Sequence, residues 1–378
     1  MRLLTPLLLL ASLGLASCKS ANSESHAPFG APGTPLTRSG DEIVVCGQLF
    51  HTGAPVVLWD DPGGYDAYRT DRRFAPYDKA SYEATTQETA SAKKAGKKPD
   101  FDISSPNRYS MRYSVPPTQP TTQPTRRALL NGLAFQLNDE QLASARAGWK
   151  LSDLQQRLDQ FVYHYDVAGT SRTCFKVLHD MRGLSVHFML DLDGTIYQTL
   201  DLKERAWHAT TSNTRSIGIE IANMGAYPTR NNKVFSEWYG KDASGHTIIT
   251  IPARYEGGGI RDKSVVLRPA RDYIVSGVVQ GKTYYQYDLT PQQYDSLVKL
   301  TATLCTVFPK LKCDYPKDAQ GKLINHKLPD EELEKYEGLL GHYHVQLDKQ
   351  DPGPAFDWEK VVKGARALMG PPQMAWRP

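Results

Sequence analysis

The stretch Ser216–Ala222, SIGIEIA, constrains the fold of this chain more than any other. Side chains alternate along a strand, so Ile217, Ile219 and Ile221 share one face, while Ser216, Gly218, Glu220 and Ala222 share the other. The isoleucine face is a core face. The opposite face sets one carboxylate among small residues, which leaves room above Glu220 for a ligand, whereas a merely solvated face would carry longer polar side chains. A sheet with packing on one side and a site on the other is the expectation.

The flanking segments supply the rest of such a sheet. Residues 161–165, FVYHY, read as a short buried strand that delivers His164 at its end. Before it, Leu151 begins a helix in which Ser152 and Gln155 match a capping box. After it, a helix over Thr173–Arg182 closed by Gly183 leads into an alternating strand, Ser185–Leu192. Asp193-Gly194 is a hairpin turn that returns the chain along Thr195–Leu200. The glycine of DLDGT is misplaced for a calcium loop. Thr290-Pro291-Gln292-Gln293 is a capped helix start with Tyr294, Leu297, Leu304 and Phe308 on its core face. Asp357 caps a final helix that carries Val361, Val362, Ala365 and Leu368 inward.

Residues 341–358, GHYHVQLDKQDPGPAFDW, hold two candidate metal ligands, His342 and Asp351, with Lys349 between them. The Asp-Pro-Gly-Pro turn restricts the backbone that bears the carboxylate. Taken alone, the stretch is equally a solvated loop. With His164 and Glu220 added, the chain offers two imidazoles, a carboxylate and a spare acid, and two histidines plus a carboxylate are a ligand set for a catalytic zinc. HExxH is absent, so the zinc site is not the helix-borne kind. His344 becomes a rival ligand if its segment is extended, since it then shares a face with His342.

At 378 residues and 40% hydrophobic, the chain has material for one large core or two modest ones. A formal net charge of +4 gives no reason to invoke nucleic acid. Leu3–Leu15 is apolar but too short to span a bilayer, and reads as the core of a signal peptide. It ends in Leu15-Ala16-Ser17-Cys18, which resembles a bacterial lipobox. On that reading residues 1–17 are removed and Cys18 is acylated, anchoring the chain to a membrane facing the periplasm, the outer one in a Gram-negative cell. The alternative is an ordinary signal peptide whose exit includes a cysteine. Residues 18–40 are a flexible tether.

Residues 41–125 form an N-terminal extension, with two strands expected in EIVVCGQLF and APVVLW on either side of His51-Thr52-Gly53. His51 is read as structural. A further alternating strand is expected over Tyr109–Val115, and Lys93, Lys94, Lys97 and Lys98 make a basic loop. The linker-like PPTQPTTQPT marks the boundary of a main domain over 126–370, followed by a frayed tail over 371–378. An insertion over about 226–288 has strands expected at His246–Ile251, Ser264–Leu267 and Tyr273–Val279, and Gly257-Gly258-Gly259 as a turn. Cys46, Cys174, Cys305 and Cys313 remain, with Cys305–Cys313 the favoured disulfide and Cys46–Cys174 the remainder.

As an ordered set, FVYHYD, SVHFMLDLDGTIYQ, AWHA, SIGIEIAN and the 341–358 stretch resemble the zinc-dependent N-acetylmuramoyl-L-alanine amidases of the type 2 group, which includes the peptidoglycan recognition proteins. The resemblance runs from about Gln160 to Lys363, broken by the insertion. It implies an α/β fold with a central mixed β-sheet flanked by helices, and zinc held by His164, His342 and Asp351. It also implies Glu220 as the catalytic carboxylate, Lys349 beside the oxyanion, and Trp207 and His208 on the substrate groove. The implied substrate is the amide joining N-acetylmuramic acid to L-alanine in peptidoglycan or muropeptides, acted on by a monomer. His187 also matches the family pattern and is read as a structural hydrogen-bonding residue. The competing functions are a non-catalytic peptidoglycan-binding lipoprotein and a zinc peptidase of other specificity.

Overall fold

The isoleucine strand is the third of six in the central sheet of this computed structural model, which describes residues 36–67, 127–130, 133–136 and 150–370. Cys18, the basic loop, the 109–115 strand, the proline-threonine linker and the tail 371–378 lie outside the described residues. The fold below is that of Ser39–Pro378, a unit apart from the first 38 residues.

Strands β1 (Glu42–Val45), β2 (Gln48–His51) and β3 (Val56–Leu58) come first. Two backbone strands, β4 (Arg127–Leu130) and β5 (Leu133–Gln136), pair as a hairpin of their own. Then follow β6 (Gln160–Tyr165), β7 (Phe188–Leu190), β8 (Ile196–Gln198) and β9 (Ser216–Ile221). The insertion adds β10 (Tyr239–Lys241), β11 (Thr247–Ile249), β12 (Val275–Val279) and β13 (Lys282–Gln286), and β14 (Gly338–Gly341) is the last. The central sheet runs β14-β6-β9-β7-β8-β3. It is mixed, since β7 and β8 are antiparallel while the other four pairings are parallel.

Its apolar face buries Phe161, Tyr163, Ile217, Ile219, Phe188 and Leu339 completely. Against it lie helix α4 (Pro291–Val307) and helix α7 (Trp358–Met369). The helix start at Thr290 forms as its sequence predicts. The Thr290 hydroxyl accepts from the Gln293 N–H at 3.0 Å, and Gln293 Oε1 accepts from the Thr290 N–H at 2.9 Å. Asp357 caps α7 through the Lys360 N–H at 3.0 Å. Leu368, expected inward, is exposed, because the core face of α7 ends at Ala365.

Several elements differ from expectation. The 42–50 run is a hairpin instead of one strand, turning at Cys46 and Gly47, which both take positive φ as a two-residue hairpin turn requires. The Asp201 carboxylate accepts both of their N–H groups at 2.7 Å. β3 pairs with β8 and so belongs to the central sheet, which the extension therefore completes. Helix α1 (Leu151–Arg157) is capped at Lys150 with Asp153, not by Ser152 and Gln155. Gln155 instead donates to the Val307 carbonyl at the end of α4. The helix after β6 splits into α2 (Ser171–Phe175) and a π-helical turn over Lys176–Met181. Helix α3 (Lys233–Trp238) opens the insertion, and α5 (Asp330–Lys335) precedes β14. Ser264–Leu267 forms no strand; its link to β11 is one backbone bond, from Ile249 N–H to Leu267 O at 2.8 Å.

Among the described residues the four cysteines are thiols. Cys305 and Cys313 share a hydrogen bond, which fits their expected proximity without the covalent bridge. Cys46 packs on the main core and Cys174 in a separate cluster, so they do not pair. No helix among the described residues is long and apolar enough to cross a membrane.

Candidate metal centre

Parallel pairing of β6 with β9 sets His164 opposite Glu220, on the face turned away from α4. β14 lies on the other side of β6 and ends at Gly341, where the chain enters a helical turn, α6 (His342–Val345). His342 and His164 are thereby brought together. Their Nδ1 atoms are 3.0 Å apart, and Asp351 Oδ2 lies 2.8 Å from that of His164 and 3.0 Å from that of His342. These three donors form a buried cluster able to hold a metal ion.

The protonation states suit a cation. Burial, helped by the neighbouring His342, lowers the His164 imidazole to about 4, so it is neutral near pH 7. Burial pushes Asp351 up, but His342 and His164 together outweigh it and hold the carboxyl well below its ordinary range. A neutral imidazole and an ionised carboxylate are what a divalent ion requires of its ligands.

Each imidazole is oriented from behind, as ligating histidines are. The tautomer that frees Nδ1 of His164 puts the proton on Nε2, which meets His208 Nδ1 at 3.0 Å. His208 Nε2 then faces the Ser216 hydroxyl at 3.3 Å. His342 Nε2 is 2.6 Å from Gln346 Oε1, one helical turn on. Gly218 makes room for this arrangement, since a Cβ there would stand 2.6 Å from the His208 ring.

Glu220 reaches the same space. Its Oε2 is buried with no protein hydrogen-bond partner, and burial, followed by the charges of Asp351 and Asp166, raises its carboxyl well above the ordinary value. The group therefore holds a proton readily. A cavity of about 300 Å³ opens over these residues, lined also by Lys349, Asp348, Arg182 and the apolar Val177 and Leu178.

Further residues singled out in the sequence are placed as follows. His208 lines the cavity, and its ring nitrogens meet His164 Nε2 and the Ser216 hydroxyl. Trp207 is not among the cavity-lining residues; the Arg205 guanidinium stands over its ring at 5.3 Å. His344 is no rival ligand, because the segment is helical and not extended. Its Nδ1 accepts the Gly341 N–H and its Nε2 donates to the Ile324 carbonyl. His187 bridges Glu204 O and Gly218 N–H, the structural role read from sequence. Sequence reasoning missed Gln346, which a helical reading of 342–345 brings beneath His342 by its spacing of four. It also missed Asp166, a carboxyl in the cavity wall that burial raises to about 7.

A family model described as N-acetylmuramoyl-L-alanine amidase matches residues 154–354. No curated protein sequence matches. Among solved structures, AmpDh3 from Pseudomonas aeruginosa, in complex with an anhydromuramic pentapeptide, is 17% identical with a TM-score of 0.31, over 55% of this chain and 60% of that one. AmiD from E. coli, in complex with an anhydro-N-acetylmuramic acid peptide, is 18% identical with a TM-score of 0.31, over 62% and 64%. The amidase LysC from Clostridium intestinale URNW is 17% identical with a TM-score of 0.29, over 56% and 86%. The chain thus spans less than two thirds of the first two.

Proposed function

The chain belongs to the type 2 N-acetylmuramoyl-L-alanine amidase family, and from that premise we propose that it hydrolyses the amide between N-acetylmuramic acid and L-alanine in peptidoglycan or its fragments. The observation that carries the reading is the convergence of His164 Nδ1, His342 Nδ1 and Asp351 Oδ2 beside the unpartnered Oε2 of Glu220. The donor set fits zinc, with two imidazole nitrogens and one carboxylate oxygen and a cavity left on the open side.

Zinc bound there supplies Lewis acidity to the scissile carbonyl and acidity to a water. The chain's own residues do the rest. Glu220 takes the proton of the attacking water and passes it to the departing amine, a task matched by a carboxyl whose affinity for protons is raised. Lys349, on the cavity wall, is the ammonium available to the carbonyl oxygen as it gains negative charge. The apolar wall at Val177 and Leu178 limits water around that charge. His208 and Gln346 keep the two imidazoles in register.

Purified protein digested with muropeptides, with and without a chelator, tests this reading by mass spectrometry of the products. Free stem peptide that disappears on chelation is expected. Zinc-loaded protein that binds the wall but releases no stem peptide refutes hydrolysis and favours the binding-lipoprotein reading. Cleavage elsewhere in the peptide favours a peptidase. The same proposal includes attachment to a periplasm-facing membrane through acylated Cys18, tested by lipid labelling that Cys18→Ser should abolish.

A further inference from the structure

We propose that Gln286, on the second strand of the inserted hairpin β12–β13, is a positioning residue for Asp351, which makes the insertion part of the metal centre. The inference rests on the metal-centre reading above. Asp351 is followed by Pro352-Gly353-Pro354, and the prolines have no N–H with which to hold the turn by backbone bonds. Gln286, 1% exposed, supplies them from outside. Its Nε2 donates to the Pro352 carbonyl at 3.0 Å, and its Oε1 accepts from the Ala355 N–H at 3.0 Å. Gly353, at φ +85, approaches so closely that a Cβ there would lie 2.2 Å from Gln286 Oε1.

The same amide reaches the other half of the site. Gln286 Nε2 also meets Asn223 Oδ1 at 3.2 Å, just beyond the end of the Glu220 strand. One side chain therefore joins the Glu220 strand to the Asp351 turn. The hairpin grips the opposite end of the loop as well. Gln280, in the turn between β12 and β13, donates through Nε2 to the Tyr343 and Gln346 carbonyls at 2.9 Å, on the turn that begins with His342. The hairpin spans the loop and pins both ends.

The test measures zinc affinity of the full chain by competition with a chromophoric chelator, together with the visible spectrum of the cobalt form. The variants are Gln286→Met, Gln280→Ala and, as a stability control, Leu297→Ala in the α4 core, where Leu297 is fully buried. Outer partners of metal ligands are worth about 10–100-fold in metal affinity. Gln286→Met should lose that much and shift the cobalt spectrum, and Gln280→Ala should lose less. Leu297→Ala should melt earlier yet bind zinc as the wild type does. Wild-type affinity in Gln286→Met, a loss no larger than that of Leu297→Ala, or a wild type that binds neither metal overturns the proposal. If Gln286→Met does not fold, unchanged affinity in Gln280→Ala overturns it. Affinity that falls as expected while the zinc-loaded wild type releases no stem peptide leaves the positioning role standing and refutes the amidase reading.

Discussion

Gly218→Ala is the sharpest perturbation, because it adds one carbon behind the site without touching a ligand. The new Cβ would meet His208 Cε1 and Nδ1 at 2.6 Å. Carbon contacts settle near 3.5–4.0 Å, so the ring must retreat by about 1 Å. His208 Nδ1 stands 3.0 Å from His164 Nε2, and a retreat of that size along the line of the contact would take the pair to about 4 Å, beyond hydrogen-bond range. Overpacking of this kind costs about 1–3 kcal/mol. At roughly 2–4 °C per kcal/mol for a domain of this size, calorimetry should show a melting point lower by several degrees. His164, released from its rear partner, should bind zinc about 10–100-fold more weakly in a chelator competition. A variant with wild-type melting and wild-type zinc affinity refutes the argument that His208 orients His164.

Glu220→Gln should bind zinc yet release stem peptide about 10²–10⁴-fold more slowly, as product chromatography will read. The same substitution has a pH signature in the metal-free protein. The folded Glu220 carboxyl sits above its ordinary value of 4.5, so its burial is tolerated below that pH and opposes folding increasingly as pH rises toward the folded value. Glu220→Gln should therefore be more stable than wild type in denaturant at pH 8, with the gap closing below about pH 4. Lys349→Met should lower kcat about 10²–10³-fold with little change in zinc affinity, since the ammonium acts on the substrate and not on the ligands. Removing zinc should lower the unfolding free energy by about 2.7 kcal/mol relative to a hundredfold excess over Kd, and the melting point should rise with ln[Zn]. A melting point independent of zinc would contradict binding to the folded state.

The features legible in the sequence are local or carried by residue type. Alternation in Ser216–Ala222 sets the isoleucines on one face, the one that packs on α4 and α7, and Glu220 on the other, because strand periodicity needs no partner to be read. The caps at Thr290 and Asp357 were equally legible, since a cap closes within three residues. His164, Glu220, His342 and Asp351 stood out as residues whose chemistry is costly to bury without use.

How these residues are held follows from packing between distant segments. Neither a strand β3 that completes the sheet nor the engagement of His208 behind His164 follows from local pattern. Nothing in the local pattern of the insertion ties it to the 341–358 stretch, yet Gln286 bonds to Pro352 and Ala355 more than sixty positions away. Such contacts leave no periodicity and no spacing in the chain. They arise when packing sets two loops side by side and each proline-interrupted backbone must find its hydrogen bonds in whatever lies opposite.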